Sequence, residues 1–93
     1  MGGETVLIAF DSTQQALRAE MLLEYADIEI DTRPTPKEIT AGCALSIEFP
    51  LPDYSQAKTI MDEQQVMIRG YFRRFSDCYA EIDEKGNRKE QEE

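Results

Sequence analysis

One cysteine, Cys43, stands in the run Pro34-Thr35-Pro36-Lys37-Glu38-Ile39-Thr40-Ala41-Gly42-Cys43-Ala44-Leu45-Ser46-Ile47-Glu48-Phe49, where a proline-stiffened loop passes into alternating apolar residues. The chain has no histidine and no tryptophan, so this sulfur is its foremost candidate for chemistry. A thiol reacts as the thiolate, which an ordinary cysteine rarely is at neutral pH unless a helix N-terminus or a cation favours the charge. Lys37 and Arg33 are cations on the same loop, and Gly42 frees the backbone to aim the side chain and leaves room for another molecule. Asp11 would oppose a thiolate if its carboxylate faced the sulfur. A second reading stands beside the reactive one. Cys43 is in phase with Leu45, Ile47 and Phe49, so its sulfur could point into the core, where cysteine is commonly an inert small hydrophobe.

Other residues offer less chemistry. Cys78 lies beside the polar C-terminal stretch and reads as an incidental exposed thiol; a resolving role would require the C-terminus to fold back toward Cys43. Two sulfurs without histidine cannot complete a four-ligand zinc site, so no metal is expected. Ser12 and Thr13 have no histidine to activate a hydroxyl and read as helix-capping residues. Glu38 reads as a solvated loop carboxylate. In Arg69-Gly70-Tyr71-Phe72-Arg73-Arg74-Phe75, aromatics and arginines interleave as in an anion-binding strip or a charge-protected edge strand.

Ninety-three residues with 41% apolar side chains support one small domain with one core. The net charge of −9 argues against nucleic acid, which requires a basic face. No apolar run approaches the roughly 18 residues of a membrane span, and no basic-then-apolar leader follows Met1, so a cytoplasmic location is expected. There thiols stay reduced.

The elements that must position Cys43 follow from periodicity. Residues 5–10 form a continuous apolar run, the pattern of a central strand. Ser12 with Gln15 resembles a capping box, and Ala16, Ala19, Leu22, Leu23 and Ala26 recur at helical spacing over about 12–26. Ile28, Ile30 and Thr32 alternate with charged residues as a second strand, which Pro34 and Pro36 should keep from further pairing. Leu45, Ile47 and Phe49 mark a third strand. Asp53 and Gln56 suggest a cap for a second helix carrying Ala57, Ile60, Met61 and Gln64. Residues 66–75 return to strand, with Gly70 as a bulge. The domain then spans 1–78, and the acidic stretch 79–93 reads as a disordered tail.

This order predicts an α+β fold, a ferredoxin-like βαββαβ sandwich with a four-stranded antiparallel sheet and two helices on one face. That topology brings Cys43 near Asp11, Ser12 and Thr13, at the start of the first helix. Leu17, Met21 and Tyr25, spaced by four, lie opposite the apolar stripe and suggest a partner surface or a homo-oligomer contact.

The strand ending in Phe10, then Ser12-Thr13, Ala16-Leu17 and Ala19-Glu20, and the loop from Pro34 through Lys37 to Gly42-Cys43, together resemble a small bacterial family described as selenium/sulfur (Se/S) carrier protein-like. The similarity covers about residues 4–75. Lys37 and Ala44 stand where arginine and a second glycine are commoner. The resemblance implies that Cys43 carries sulfur or selenium as a persulfide or selenopersulfide between donor and acceptor proteins, with no cofactor. Ser12, Thr13, Pro34, Pro36, Lys37 and Gly42 would surround the carried atom. Two rival expectations remain: a non-catalytic interaction or ligand-sensing module, since one fold hosts many functions, and a redox switch between Cys43 and Cys78.

Overall fold

Thr5–Ala9 forms β1 at the centre of an antiparallel sheet, and its apolar run is buried on both faces. The computed structural model describes residues 4–75, 78–83 and 87. After β1 the chain turns at Asp11 into helix α1, Thr13–Tyr25. Ser12 is its N-cap, and the Ser12 hydroxyl accepts from the Gln15 N–H at 3.5 Å. The helix ends at Ala26, and Asp27 takes a positive φ of 64° that turns the chain back to the sheet.

Strand β2 is Asp31–Pro34, later than the alternation at 28–32 suggested, because Ile28 and Ile30 pack on the core before pairing begins. Pro34 is inside β2 and pairs with Leu45, contrary to the expected break. At a sheet edge its missing N–H leaves no ladder bond unmade. Strand β3, Leu45–Pro50, pairs with both β2 and β1. A short 3-10 turn at Leu51–Asp53 leads into α2, Tyr54–Glu63. The expected Asp53 cap does not form, since the preceding turn already supplies the entry.

Gln65, at φ 56°, stops α2, and the next strand, β4, is Gly70–Phe75. Residues 66–69 are therefore a core-packed connection: Val66 is buried, and Gly70 pairs regularly with Ala9 instead of forming a bulge. A fifth strand, β5, Cys78–Glu81, pairs with β4 and corrects the four-strand expectation. Ile82 follows it into the core, 3% exposed. The disordered tail expected at 79–93 otherwise falls mostly outside the described residues.

The sheet order is β2-β3-β1-β4-β5, all antiparallel. Both helices cover one face, where Val6, Ile8, Ile47 and Phe49 meet Ala16, Ala19 and Leu23 of α1 and Ala57 and Met61 of α2. Burying a side chain such as Phe49 or Leu23 fully stabilises the fold by roughly 2–3 kcal/mol. The opposite face is covered differently. Leu7 and Ala9 pack there with Ile39, Ala41, Phe72 and Tyr79, so the segment 35–42 crosses beneath the sheet as a strap.

Candidate functional site around Cys43

Cys43 begins where the strap rejoins the sheet, and its position follows from backbone pairing. Its N–H donates to the Phe10 carbonyl at 3.0 Å, immediately beyond β1. Thr35 holds the same turn from the other side: its N–H donates to the Ala44 carbonyl at 2.8 Å and its hydroxyl to the Cys43 carbonyl at 3.0 Å. The sulfur therefore lies against the start of α1, as the strand order requires.

Two groups meet the sulfur. The Thr13 hydroxyl is 3.3 Å from Sγ, with either atom able to donate, and the Leu45 N–H donates to Sγ at 3.3 Å. A thiolate or a persulfide anion needs donors of this kind. Cys43 is nevertheless only 3% exposed and belongs to the main core cluster. Its chain neighbours Gly42 and Ala44 are both exposed. The sulfur thus stands at the helix start, as the topology led one to expect, and it is packed in the core.

Gly42 has a different task from the one its small size suggested. A Cβ on Gly42 would lie 2.7 Å from the Asp11 carbonyl oxygen, so the close approach is made by this chain's own β1–α1 turn. The Gly42 N–H donates to Asp11 Oδ1 at 2.7 Å. That contact directs the Asp11 carboxylate to the backbone.

The remaining sequence candidates are dispersed. The Ser12 hydroxyl is committed to capping α1. Pro34 is in β2, the Pro36 carbonyl accepts from the Ile39 N–H at 3.0 Å, and Lys37 is exposed in that turn. Of the polar side chains expected around the sulfur, Thr13 is the one the structure brings to it. Three neighbours escaped sequence reading: Leu45 through its N–H, Thr35, and Arg69, whose guanidinium donates from Nε to the Thr40 carbonyl at 2.9 Å and pins the strap. Arg69 was visible in the arginine-aromatic run, but nothing local tied it to residue 40.

Cys78, on β5, pairs with Phe75 of β4 and is exposed. Gly70 pairs with Ala9 near the Cys43 end, so Cys78 is displaced from that level by about 17 Å of strand at roughly 3.4 Å per residue. A disulfide needs Cα atoms within about 7 Å. The fold therefore keeps Cys43 and Cys78 apart, and both are free thiols.

No group of histidine, cysteine and carboxylate side chains suited to a metal occurs among the described residues. Nor is any helix among them long and apolar enough to cross a membrane.

A small α+β domain that presents one buried thiol at a helix start is the class of protein these features define. The chain belongs to the family described as "Putative Se/S carrier protein-like", whose sequence model matches residues 5–73. That match includes β1, α1, the strap, Cys43 and most of β4. No match is found among curated proteins or among solved structures.

Proposed function

We propose that this protein carries sulfane sulfur or selenium on Cys43 and passes it between a donor and an acceptor protein. The observation that carries the reading is the family match across the Cys43 loop, joined to the two hydrogen-bonding groups at Sγ. In the relay, the Cys43 thiolate attacks the terminal sulfur of a donor persulfide, forming Cys43-S-SH and releasing the donor thiolate. An acceptor thiolate then takes that outer sulfur, and Cys43 leaves as thiolate. No external oxidant, reductant or cofactor enters either step. Selenium would travel as the corresponding selenopersulfide. We read the arrangement as a ferredoxin-like sandwich extended by β5, acting in the reducing cytoplasm.

Burial of Cys43 favours a second reading, in which the thiol is packing and the domain works as a non-catalytic interaction module. Intact mass after incubation with a cysteine desulfurase and cysteine separates the two. Relay predicts the gain of one sulfur atom in the folded protein, lost in Cys43→Ser and kept in Cys78→Ser. No adduct, or one confined to Cys78, would sink the relay and leave the interaction module.

A further inference from the structure

The outer face of α1 bears an apolar stripe bordered on one flank by acid. Leu17, Met21 and Tyr25 stand four residues apart, turned away from buried Ala16, Ala19 and Leu23, and are 50%, 67% and 92% exposed. A row of large apolar side chains left in water marks an interaction surface more often than a scattered one does. Glu20 and Glu24 flank the stripe. Beyond the helix, Glu24, Asp27 and Glu29 line one shallow groove, and Glu29 and Asp31 line the next with Glu48. Of the cations on this side, Arg33 is paired with Glu48, and exposed Arg18 borders Leu17 and Met21 on the flank away from Glu20 and Glu24.

We propose that this face docks a basic amphipathic helix of a partner protein. Its apolar seam would cover Leu17, Met21 and Tyr25, and its lysines or arginines would lie over Glu20, Glu24, Asp27 and Glu29. A second copy of this chain fits poorly. Two-fold antiparallel pairing of α1 sets each flank against its own kind, so Glu20 and Glu24 meet their own copies, on chains already at −9 each. The stripe also continues, one turn earlier, to Thr13, whose hydroxyl touches Cys43 Sγ. A helix docked here reaches the Cys43 end of the molecule, yet the docking itself does not depend on Cys43 chemistry.

The probe is an amphipathic Lys/Leu helical peptide, titrated into the isotope-labelled full chain and followed by chemical-shift mapping, with a Glu/Leu peptide of the same pattern as control. The expected result is perturbation centred on Leu17, Met21, Glu24, Tyr25 and Asp27, absent with the Glu/Leu peptide and weakened by salt. Met21→Asp should cost at least about tenfold in affinity, although it adds negative charge that would strengthen purely electrostatic capture. Tyr25→Ser, at a still more exposed position, should weaken binding in the same direction. Cys43→Ser should bind as the parent does, so failure of relay and failure of docking are told apart. Unchanged or tighter binding by Met21→Asp, perturbations centred elsewhere, or sedimentation showing a dimer that Met21→Asp dissolves would each overturn the proposal.

Discussion

Tyr71, on β4, holds its ring edge-on to Tyr54 beneath α2, with centroids 5.2 Å apart and planes at 75°. The Tyr54 hydroxyl donates to the Asp83 carbonyl at 2.7 Å, whereas the buried Tyr71 hydroxyl has no hydrogen-bond partner among the described residues. Burial first, and then the charge of Asp62, push the Tyr71 phenol well above its ordinary value. An unpaired buried hydroxyl costs roughly 1–3 kcal/mol, so Tyr71→Phe should be as stable as the parent or more stable by up to about 1 kcal/mol. The pH effect has a definite sign. Below about pH 10 both folded and unfolded chains keep the proton; above it the unfolded chain loses it first, and stability falls. Urea melts near neutrality and at about pH 11 should show the parent losing more stability than Tyr71→Phe. Equal alkaline losses would mean that Tyr71 is not the group responsible.

Among the elements, the strap at 35–42 runs directly into Cys43, so its seating is expected to set how readily the thiol is reached. It is held at the Glu38 carboxylate, which accepts from the Tyr79 N–H at 3.4 Å; at Thr40, by Arg69; and at Gly42, by Asp11. Ile39, 7% exposed, is its apolar anchor on Leu7 and Ala9. Ile39→Ala removes that anchor and should cost roughly 2–4 kcal/mol of strap docking. Each 1.4 kcal/mol off a local opening equilibrium is about tenfold in the open population. Alkylation of Cys43 should therefore accelerate at least about tenfold in Ile39→Ala, while the rate at exposed Cys78 stays level. A Cys43 rate that tracks only global unfolding would show that the strap does not gate the thiol. Helix α1 is the fixed wall of the site, because its Ser12 cap and its Ala16 and Ala19 contacts anchor Thr13 whether or not the strap is seated.

At the scale of the whole molecule, a net charge of −9 on 93 residues sets the electrostatic balance. Ion pairs join Arg33 with Glu48, Arg73 with Glu4, and Lys58 with Asp62 one turn apart at 3.3 Å. All three involve at least one exposed partner, where pairs contribute at most about 1 kcal/mol. The surplus acid repels itself and weakens the compact state. Raising sodium chloride from low to near-physiological concentration should lift the melting temperature by a few degrees, roughly what 1 kcal/mol supplies in a domain of this size. A flat or falling Tm across that range would show that the ion pairs outweigh the repulsion.

Much of this arrangement is legible in the residues themselves. The unbroken apolar run before Ala9 identifies a strand buried on both faces, and Ser12 with the recurrence of Ala16, Ala19 and Leu23 identifies a capped amphipathic helix. From strand order alone, Cys43 belongs beside Thr13, because a loop between antiparallel strands must return at the end where it left. These features are local or topological, so the sequence by itself determined them. Tertiary structure decided the rest. The strap reads as a polar, proline-bearing loop, and only the apolar back of β1, far along the chain, makes Ile39 a core residue. Strand β5 reads as part of a charged tail because an edge strand needs little apolar pattern; its pairing with β4 and the burial of Ile82 hold it. Whether the Cys43 sulfur meets solvent, a hydroxyl or the core likewise rests on contacts among β1, α1 and the strap. Such contacts are non-local, and no window of sequence contains them.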